Sequence, residues 1–268
     1  MPGRLTVCPT PIGNMEDVTL RTLTTLREAD VIACEDTRRT GKLLERFGVS
    51  AKLISYNEQN ERKRAAELVK RMDAGENVAL VSDAGMPLVS DPGYVMVQAC
   101  IAAGLPVEVL PGPSAVLAAL VAAGLPSDHW RFAGFVPRKV SEIDALFANL
   151  AETLVAFESP KRLGATLERL ATIDPQRPAA VCRELTKLHE EIARGSAEEL
   201  AAKFGSGDVK GEIVLVVGAA SEEDREHRRL ADGRAAVVRL TESGARAREA
   251  AKVVAELTGL RVNDLYQP

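Results

Sequence analysis

The chain has 268 residues, 46% of them hydrophobic and 27% charged, with a formal net charge of −4. That length can bury the cores of two ordinary domains, and the balance is that of a soluble globular protein. The mild acidity excludes a uniformly basic nucleic-acid binder, though not a local basic patch. No apolar run reaches the roughly 20 residues that cross a bilayer, and the first residues lack the apolar core of a secretory signal. Cys8, Cys34, Cys100 and Cys182 lie too far apart in sequence for a zinc knuckle or a redox pair. They read as buried free thiols. His129, His189 and His227 make no metal-binding spacing. The expectation is a reduced, cytoplasmic protein with no metal and no membrane contact.

In chain order, Leu5–Cys8 reads as a buried strand broken by Pro9-Thr-Pro-Ile-Gly-Asn14. Asp17 is placed to cap a helix carrying Val18, Leu20, Leu23 and Leu26. The apolar run Ala29–Cys34 ends in Glu35-Asp-Thr-Arg38. Leu43, Leu44 and Phe47 then recur at helical spacing, with Gly48 as the stop. Lys52–Ser55 predicts a short strand, and Asn60–Ala74 a charged helix with Ala65, Leu68, Val69 and Met72 on its apolar face. The stretch Val78–Gly93 starts as a buried strand and breaks at once into Asp83, Gly85, Pro87, Asp91, Pro92 and Gly93, residues that fix turns. Val95–Ala103 is a helix and Pro106–Leu110 a strand. It runs into Pro111-Gly-Pro-Ser114, where Ser114 caps the alanine-rich helix Ala115–Ala123. This alternation predicts a mainly parallel sheet.

After Pro126 the pattern changes. Trp130–Phe135 predicts a strand, and Pro137-Arg138-Lys139-Val140-Ser141 a basic loop, with Ser141 capping a helix to Leu150. Thr153–Phe157 is a strand ending in Glu158-Ser-Pro-Lys-Arg162, where Ser159 and Pro160 suit a helix cap and first-turn proline. Ala179–Arg183 and Glu190–Arg194 are further strands, the second followed by Gly195 and a helix to Phe204. Lys210–Gly218 is the last. The division expected is an α/β domain over residues 1–127, a second α/β domain over 128–220, and a helical basic tail over 221–268. In that tail Ala247–Leu257 has helical spacing closed by Gly259. Between Arg225 and Lys252 eight basic residues face four acidic ones, for which a solvated charged face is the plain explanation.

Four strand-end loops carry the candidate chemistry: Pro9–Asn14, Glu35–Arg38, Ser82–Asp91 and Pro111–Ser114. All fall at one end of a parallel sheet, where ligands of open α/β folds bind. Gly-x-Gly-x-x-Gly, Gly-x-x-x-x-Gly-Lys-Ser/Thr and Gly-x-Ser-x-Gly are all missing, which disfavours a dinucleotide site, a triphosphate cradle and a hydrolase nucleophile.

Taken together, Thr10-Pro-Ile-Gly-Asn14 with Asp17, Glu35-Asp-Thr-Arg38, Ser82-Asp-Ala-Gly85 with Ser90-Asp-Pro-Gly93, and Pro111-Gly-Pro-Ser114 resemble one family. So do Phe157-Glu-Ser-Pro160, Arg183-Glu-Leu-Thr-Lys-Leu-His-Glu190 and Lys210-Gly-Glu-Ile213. It is the ribosomal small-subunit RNA methyltransferases that modify the 2′-oxygen of a decoding-centre cytidine in 16S rRNA, a branch of the tetrapyrrole methylase superfamily. The resemblance runs in order from about residue 5 to 218. It implies two α/β domains of tetrapyrrole methylase type with a cofactor cleft between them, a homodimer, S-adenosylmethionine as methyl donor, and 16S rRNA or the small ribosomal subunit as partner.

Carried residue by residue, the cofactor meets Asp83, Ala84, Gly85, Ser114 and Ala115, and its adenosine end Phe157, Glu158, Leu185 and Gly211, Glu212, Ile213. Asp36, Glu35 and Glu184 are the candidate bases, with Lys187 or Arg38 to hold phosphate or an alkoxide. A structural salt bridge accounts for each acid as well. Arg38, Arg138, Lys139, Lys161 and Arg162 are the candidate RNA contacts. The sequence departs from the family pattern at Asn57 and Gln59, where histidines are usual, at Met86 in place of threonine, and at Lys161 in a common histidine position. A methylase of porphyrin-like precursors and a non-catalytic RNA-binding module are the alternatives on the same scaffold.

Overall fold

The structure, a computed structural model, describes residues 2–148, 150–205, 207 and 209–266. Leu5–Val7, Val31–Cys34, Leu53–Ser55, Val78–Val81 and Val107–Val109 form strands β1 to β5 of a parallel sheet in the order β3-β2-β4-β1-β5. Successive strand residues point to opposite faces. Leu5, Val7, Val31, Ala33, Val78 and Leu80 therefore pack against α3 (Glu61–Asp73) and α4 (Tyr94–Ala102) through Leu68, Met72, Met96 and Cys100. Cys8, Ile32, Cys34, Ala79 and Val81 meet α1 (Leu20–Glu28) and α2 (Thr37–Arg46) through Leu26 and Leu44. Both faces are covered, as a parallel sheet requires.

A second sheet holds β6 (Trp130–Phe135), β7 (Thr153–Glu158), β8 (Pro178–Arg183), β9 (Glu191–Ser196) and β10 (Ile213–Val217), in the order β6-β7-β10-β8-β9. Its β6–β7 pair is parallel and the others antiparallel. Helices α6 (Val140–Ala148), α7 (Leu163–Ile173) and α8 (Ala197–Phe204) cover one face. The other face is covered by α5 (Ala115–Ala123), whose Val116, Ala119, Leu120 and Ala123 lie on Val155, Ala180, Cys182, Val214 and Val216. This helix leaves a strand of the first sheet and packs on the second. That step ties the two sheets together. Helices α9 (Glu222–Glu242), α10 (Ala247–Thr258) and α11 (Val262–Leu265) close on a small core of their own, built on Val237, Ala250, Ala251, Val254 and Leu265. All four cysteines are buried and free.

Several helix starts differ from the sequence expectation. Thr19, not Asp17, caps α1 by accepting from the Thr22 amide, while Asp17 belongs to a single 3₁₀ turn capped by Asn14. Helix α6 already begins at Val140, with the Lys139 carbonyl accepting from Glu142 and Ile143, so Ser141 lies inside the first turn. Ser159 and Pro160 stand in a turn before α7, and the Ser159 carbonyl accepts from the amides of Arg162 and Leu163. Gly195 is still strand, and Ser196 starts α8 in a capping box with Glu199. At α1 and α8 a neighbouring hydroxyl takes the cap, whereas α7 starts from Arg162, which makes no side-chain cap.

Candidate active site

In the first sheet, β1 connects towards β2 on one side and β4 towards β5 on the other, although β1 and β4 are neighbours. Their carboxyl ends therefore open a crevice at a topological switch point. The loops are stitched across it. Thr10 and Gly85 exchange main-chain hydrogen bonds of 2.9 and 3.0 Å, and the Thr10 hydroxyl donates to the Ser82 carbonyl at 3.1 Å. The Ser82 hydroxyl donates to the carbonyls of Ala84 and Gly85 at 3.4 and 3.3 Å. Gly85 has φ +76°, and a side chain there would strike Ile12 at 3.3 Å. Only glycine holds that turn without strain while letting the neighbouring loop close in. Ser114 caps α5 through the Leu117 amide, as its sequence position predicts.

Above these loops lies a cavity of ≈ 430 Å³, closed on the far side by the ends of β7 and β10. This volume is that of an ordinary small-molecule site (roughly 300–1,000 Å³). Its wall includes Ala84, Gly85, Ser114, Ala115, Phe157, Glu158, Gly211, Glu212 and Ile213, nine of the residues expected from sequence. Two of those expected stand outside it. The Asp83 carboxylate turns away to accept from the Asp36 amide at 3.0 Å and to pair with Arg39 at 3.6 Å. Leu185 is buried in the apolar layer under α5. The Glu158 carboxylate is fully engaged by the Ser159 amide, Arg162 and the Thr166 hydroxyl, so it shapes the turn beneath the cavity.

The wall also contains Ile12, Met86, Val89, Ser90 and Asp91, from two of the candidate loops, and Val116, Phe135, Ser159, Pro160 and Val214, none of them carried over as a cofactor contact. Met86 both lines the cavity and packs on the core of the first sheet. Leu88 and Ser90 have φ of +72° and +65°. Two non-glycine residues in the left-handed region within three positions mark a strained loop, and that loop carries Asp91 into the wall. The run Ser90-Asp-Pro-Gly93 was the available signal, but a turn motif does not say which of its side chains turns inward.

Four candidates for chemistry lie outside the wall. Asp36 caps α2 through the Arg38 amide and grips the Arg38 guanidinium at 3.1 and 2.8 Å; these bonds hold its carboxyl well below the usual range. Glu184 accepts from Lys187 at 2.7 Å and from the Glu212 amide at 2.9 Å, which likewise lower it. Lys187 is held between Glu184 and Glu212. This clasp secures Gly211, whose φ is +96° and where any side chain would run into Glu184. Glu35 behaves differently. Burial first, then Asp83 and Glu58, push its carboxyl up against a partial offset from Arg39. Burial likewise pushes Asp91 up to about 6, with Glu35 adding, a Ser82 hydrogen bond opposing and Asp83 adding further. Asp91 and Glu35 are thus the carboxylates with raised proton affinity, and Asp91 is on the wall.

Of the expected RNA contacts, Arg138, Lys139 and Lys161 are exposed on turns after β6 and β7, near the cavity wall. Lys139 pairs with Glu142 at 3.0 Å. Arg38 is exposed beside Asp36. Arg162 is committed to the fold, donating to the carbonyls of Val136 and Pro137 at 2.8 and 2.9 Å. Asn57 and Gln59 build the turn into α3 and stand outside the cavity wall.

Residues 4–201 match the family of tetrapyrrole (corrin/porphyrin) methylases. Proteins named ribosomal RNA small subunit methyltransferase I are similar over nearly the whole chain. The one from Mesorhizobium japonicum is 45% identical, covering 96% of this chain and 88% of its own length. The one from Mycobacterium tuberculosis is 44% identical, covering 98% and 93%. Among solved structures, a uroporphyrin-III-C-methyltransferase from Thermus thermophilus is 29% identical with a TM-score of 0.59, over 81% of this chain and 94% of that one. A uroporphyrin III C-methyltransferase from the same organism, solved with S-adenosyl homocysteine, shares the fold at 21% identity and a TM-score of 0.56, over 81% and 97%.

Proposed function

The chain belongs to the tetrapyrrole methylase family, in the branch of the ribosomal RNA small subunit methyltransferase I proteins, and from that premise we propose that it methylates the ribose 2′-hydroxyl of a decoding-centre cytidine in 16S rRNA. S-adenosylmethionine bound in the cavity supplies an electrophilic methyl group on a sulfonium. The wall suits such a molecule. The Ala84 and Gly211 main chain stands in the wall to meet its polar ends, Phe157 and Val116 give apolar surface, and the Asp91 carboxylate provides an anion for the positive sulfur. The observation that carries the reading is this placement: one cavity at the seam of the two sheets, walled by loops of both.

The residues of the chain then have separable tasks. Gly85 and the Thr10–Gly85 bridge fix the floor, and the Glu184–Lys187–Glu212 clasp fixes the opposite rim. Positioning and exclusion of water account for most of the acceleration of an in-line displacement. Proton removal from the attacking hydroxyl adds ~100-fold or more. Asp91, with Glu35 behind it, suits that step better than Asp36 or Glu184, whose ion pairs make them weak bases. Arg38, Arg138, Lys139 and Lys161 contact phosphates around the target.

The protein acts as a homodimer. Leu117 and Val121, 51% and 81% exposed and one turn apart on α5, provide apolar surface for the subunit contact. Incubation with labelled S-adenosylmethionine should place one methyl per small subunit on a cytidine ribose of 16S rRNA lacking that modification. Label entering a tetrapyrrole precursor and no RNA, whether naked or in subunits, defeats the proposal.

A further inference from the structure

Strand β6 is an edge strand whose last residue, Phe135, is 60% exposed and yet lines the cavity. The register explains how it comes to be there. Phe132 pairs with Val155 and Phe135 with Phe157, so β6 uses three steps where β7 uses two. The extra residue is a bulge, with Gly134 at φ +69° and open space around it. A bulge re-aims the side chain that follows it. In straight register Gly134 would face Phe157, and Phe135 would fall beside Glu158 on the opposite face. The bulge returns Phe135 to the cavity face, where its ring meets Phe157 at 5.4 Å and 58°. Phe157 also carries Phe132 edge-on at 5.1 Å. One side of the Phe135 ring is therefore supported from behind while much of it stays open. The turn that follows directly is anchored by the Arg162 hydrogen bonds to Val136 and Pro137 and bears the exposed cations Arg138 and Lys139, the latter paired with Glu142.

An open aromatic ring beside cations is how proteins hold an unpaired nucleotide: the base stacks on the ring and the flanking phosphates meet the cations. We propose that Phe135 is the stacking platform for the target nucleobase, holding it out of the RNA so that its ribose faces the cavity. This rests on the RNA reading above and adds a specificity-determining residue to it. The adenine of the methyl donor is the competing occupant. The exposure of Phe135 at the rim, in contrast to the half-buried Phe157 deeper in the wall, favours the incoming base.

The test combines two substrates and four proteins. Small subunits are reconstituted on 16S rRNA carrying either cytosine or an abasic ribose at the target position. Wild type, Phe135→Ala, Phe135→Leu and Phe135→Tyr are compared for subunit binding, methyl transfer and S-adenosylmethionine affinity. Phe135→Ala should lower kcat/KM on the cytosine substrate by roughly 10–100-fold, the range of one lost base–aromatic stack, with cofactor affinity within about twofold. Leucine should restore little, and tyrosine most of the activity. Removing the base should weaken subunit binding by wild type by a similar factor and by Phe135→Ala hardly at all. Independent, additive losses overturn the proposal. So does a parallel loss of cofactor affinity, which would assign the ring to adenine, or a change in subunit association, which would assign it to the dimer contact. If wild type neither binds nor methylates the cytosine substrate, the RNA reading itself has failed, and Phe135 with it.

Discussion

A carboxylate in a cleft wall serves a hydroxyl nucleophile best when it is ionised near neutrality yet binds a proton more readily than an ordinary carboxylate, and Asp91 is raised to about 6 by burial and by Glu35. Its proton affinity is higher folded than unfolded, so its ionisation costs stability. That cost is absent below the ordinary aspartate value of about 4, grows as pH rises to about 6, and is constant above. Asp91→Asn should therefore melt higher than wild type at pH 8, and the gap should close near pH 4. In methyl-transfer assays the wild-type rate should rise with pH through about 6, and that limb should vanish in the variant, with a fall of ~100-fold or more. A melting difference independent of pH, or an unchanged rate profile, would remove Asp91 from this role. The sequence does not lead easily to this residue. Glu35-Asp-Thr-Arg38 looks like chemistry, yet Asp36 spends its oxygens on a helix cap and Arg38. Ser90-Asp-Pro-Gly93 looks like a turn, yet two left-handed residues swing its aspartate into the cavity. Both are legible as strand-end loops. Which carboxylate faces inward depends on backbone signs that residue types alone do not fix.

At the scale of elements, α5 is the helix whose sequence says most and whose position says more. Ser114, the run Ala115–Ala123 and Gly124 give both of its ends without ambiguity, and the structure has it between those residues. What sequence order does not reveal is that it packs on the second sheet. A helix apolar all round is buried all round, but Leu117 and Val121 are exposed. The proposed second subunit would cover them. Val121→Asp should shift the protein to monomer in sedimentation, and it should leave the fold intact because the site already faces solvent. A Val121→Asp protein that remains dimeric would move the subunit contact elsewhere. Caps were harder to read than α5. Asp17, Ser141 and Ser159 each have suitable chemistry but lie one to four residues from where packing starts the helix.

At the scale of the whole molecule, charge is distributed against the net value. The chain carries −4, yet between Arg225 and Lys252 basic residues outnumber acidic ones eight to four. The structure shows why this surplus is visible to a partner: helices α9 to α11 bury small apolar side chains among themselves and leave Arg239, Arg246 and Arg248 exposed. A polyanion such as the RNA of the small subunit would offer phosphates to this face. Each phosphate contact steepens the fall of log affinity with log salt by roughly 0.7–0.9. Replacing Arg239, Arg246 and Arg248 with glutamine should therefore flatten the slope of log affinity against log salt by up to roughly 2–3, with S-adenosylmethionine affinity unchanged because the cavity lies wholly between residues 12 and 214. Equal weakening at every salt concentration would mean that the substitutions disturb the helices rather than remove phosphate contacts. An unaltered slope with full affinity would make this face a solvated surface, and the RNA would then have to be held by Phe135 and the cations around the cavity.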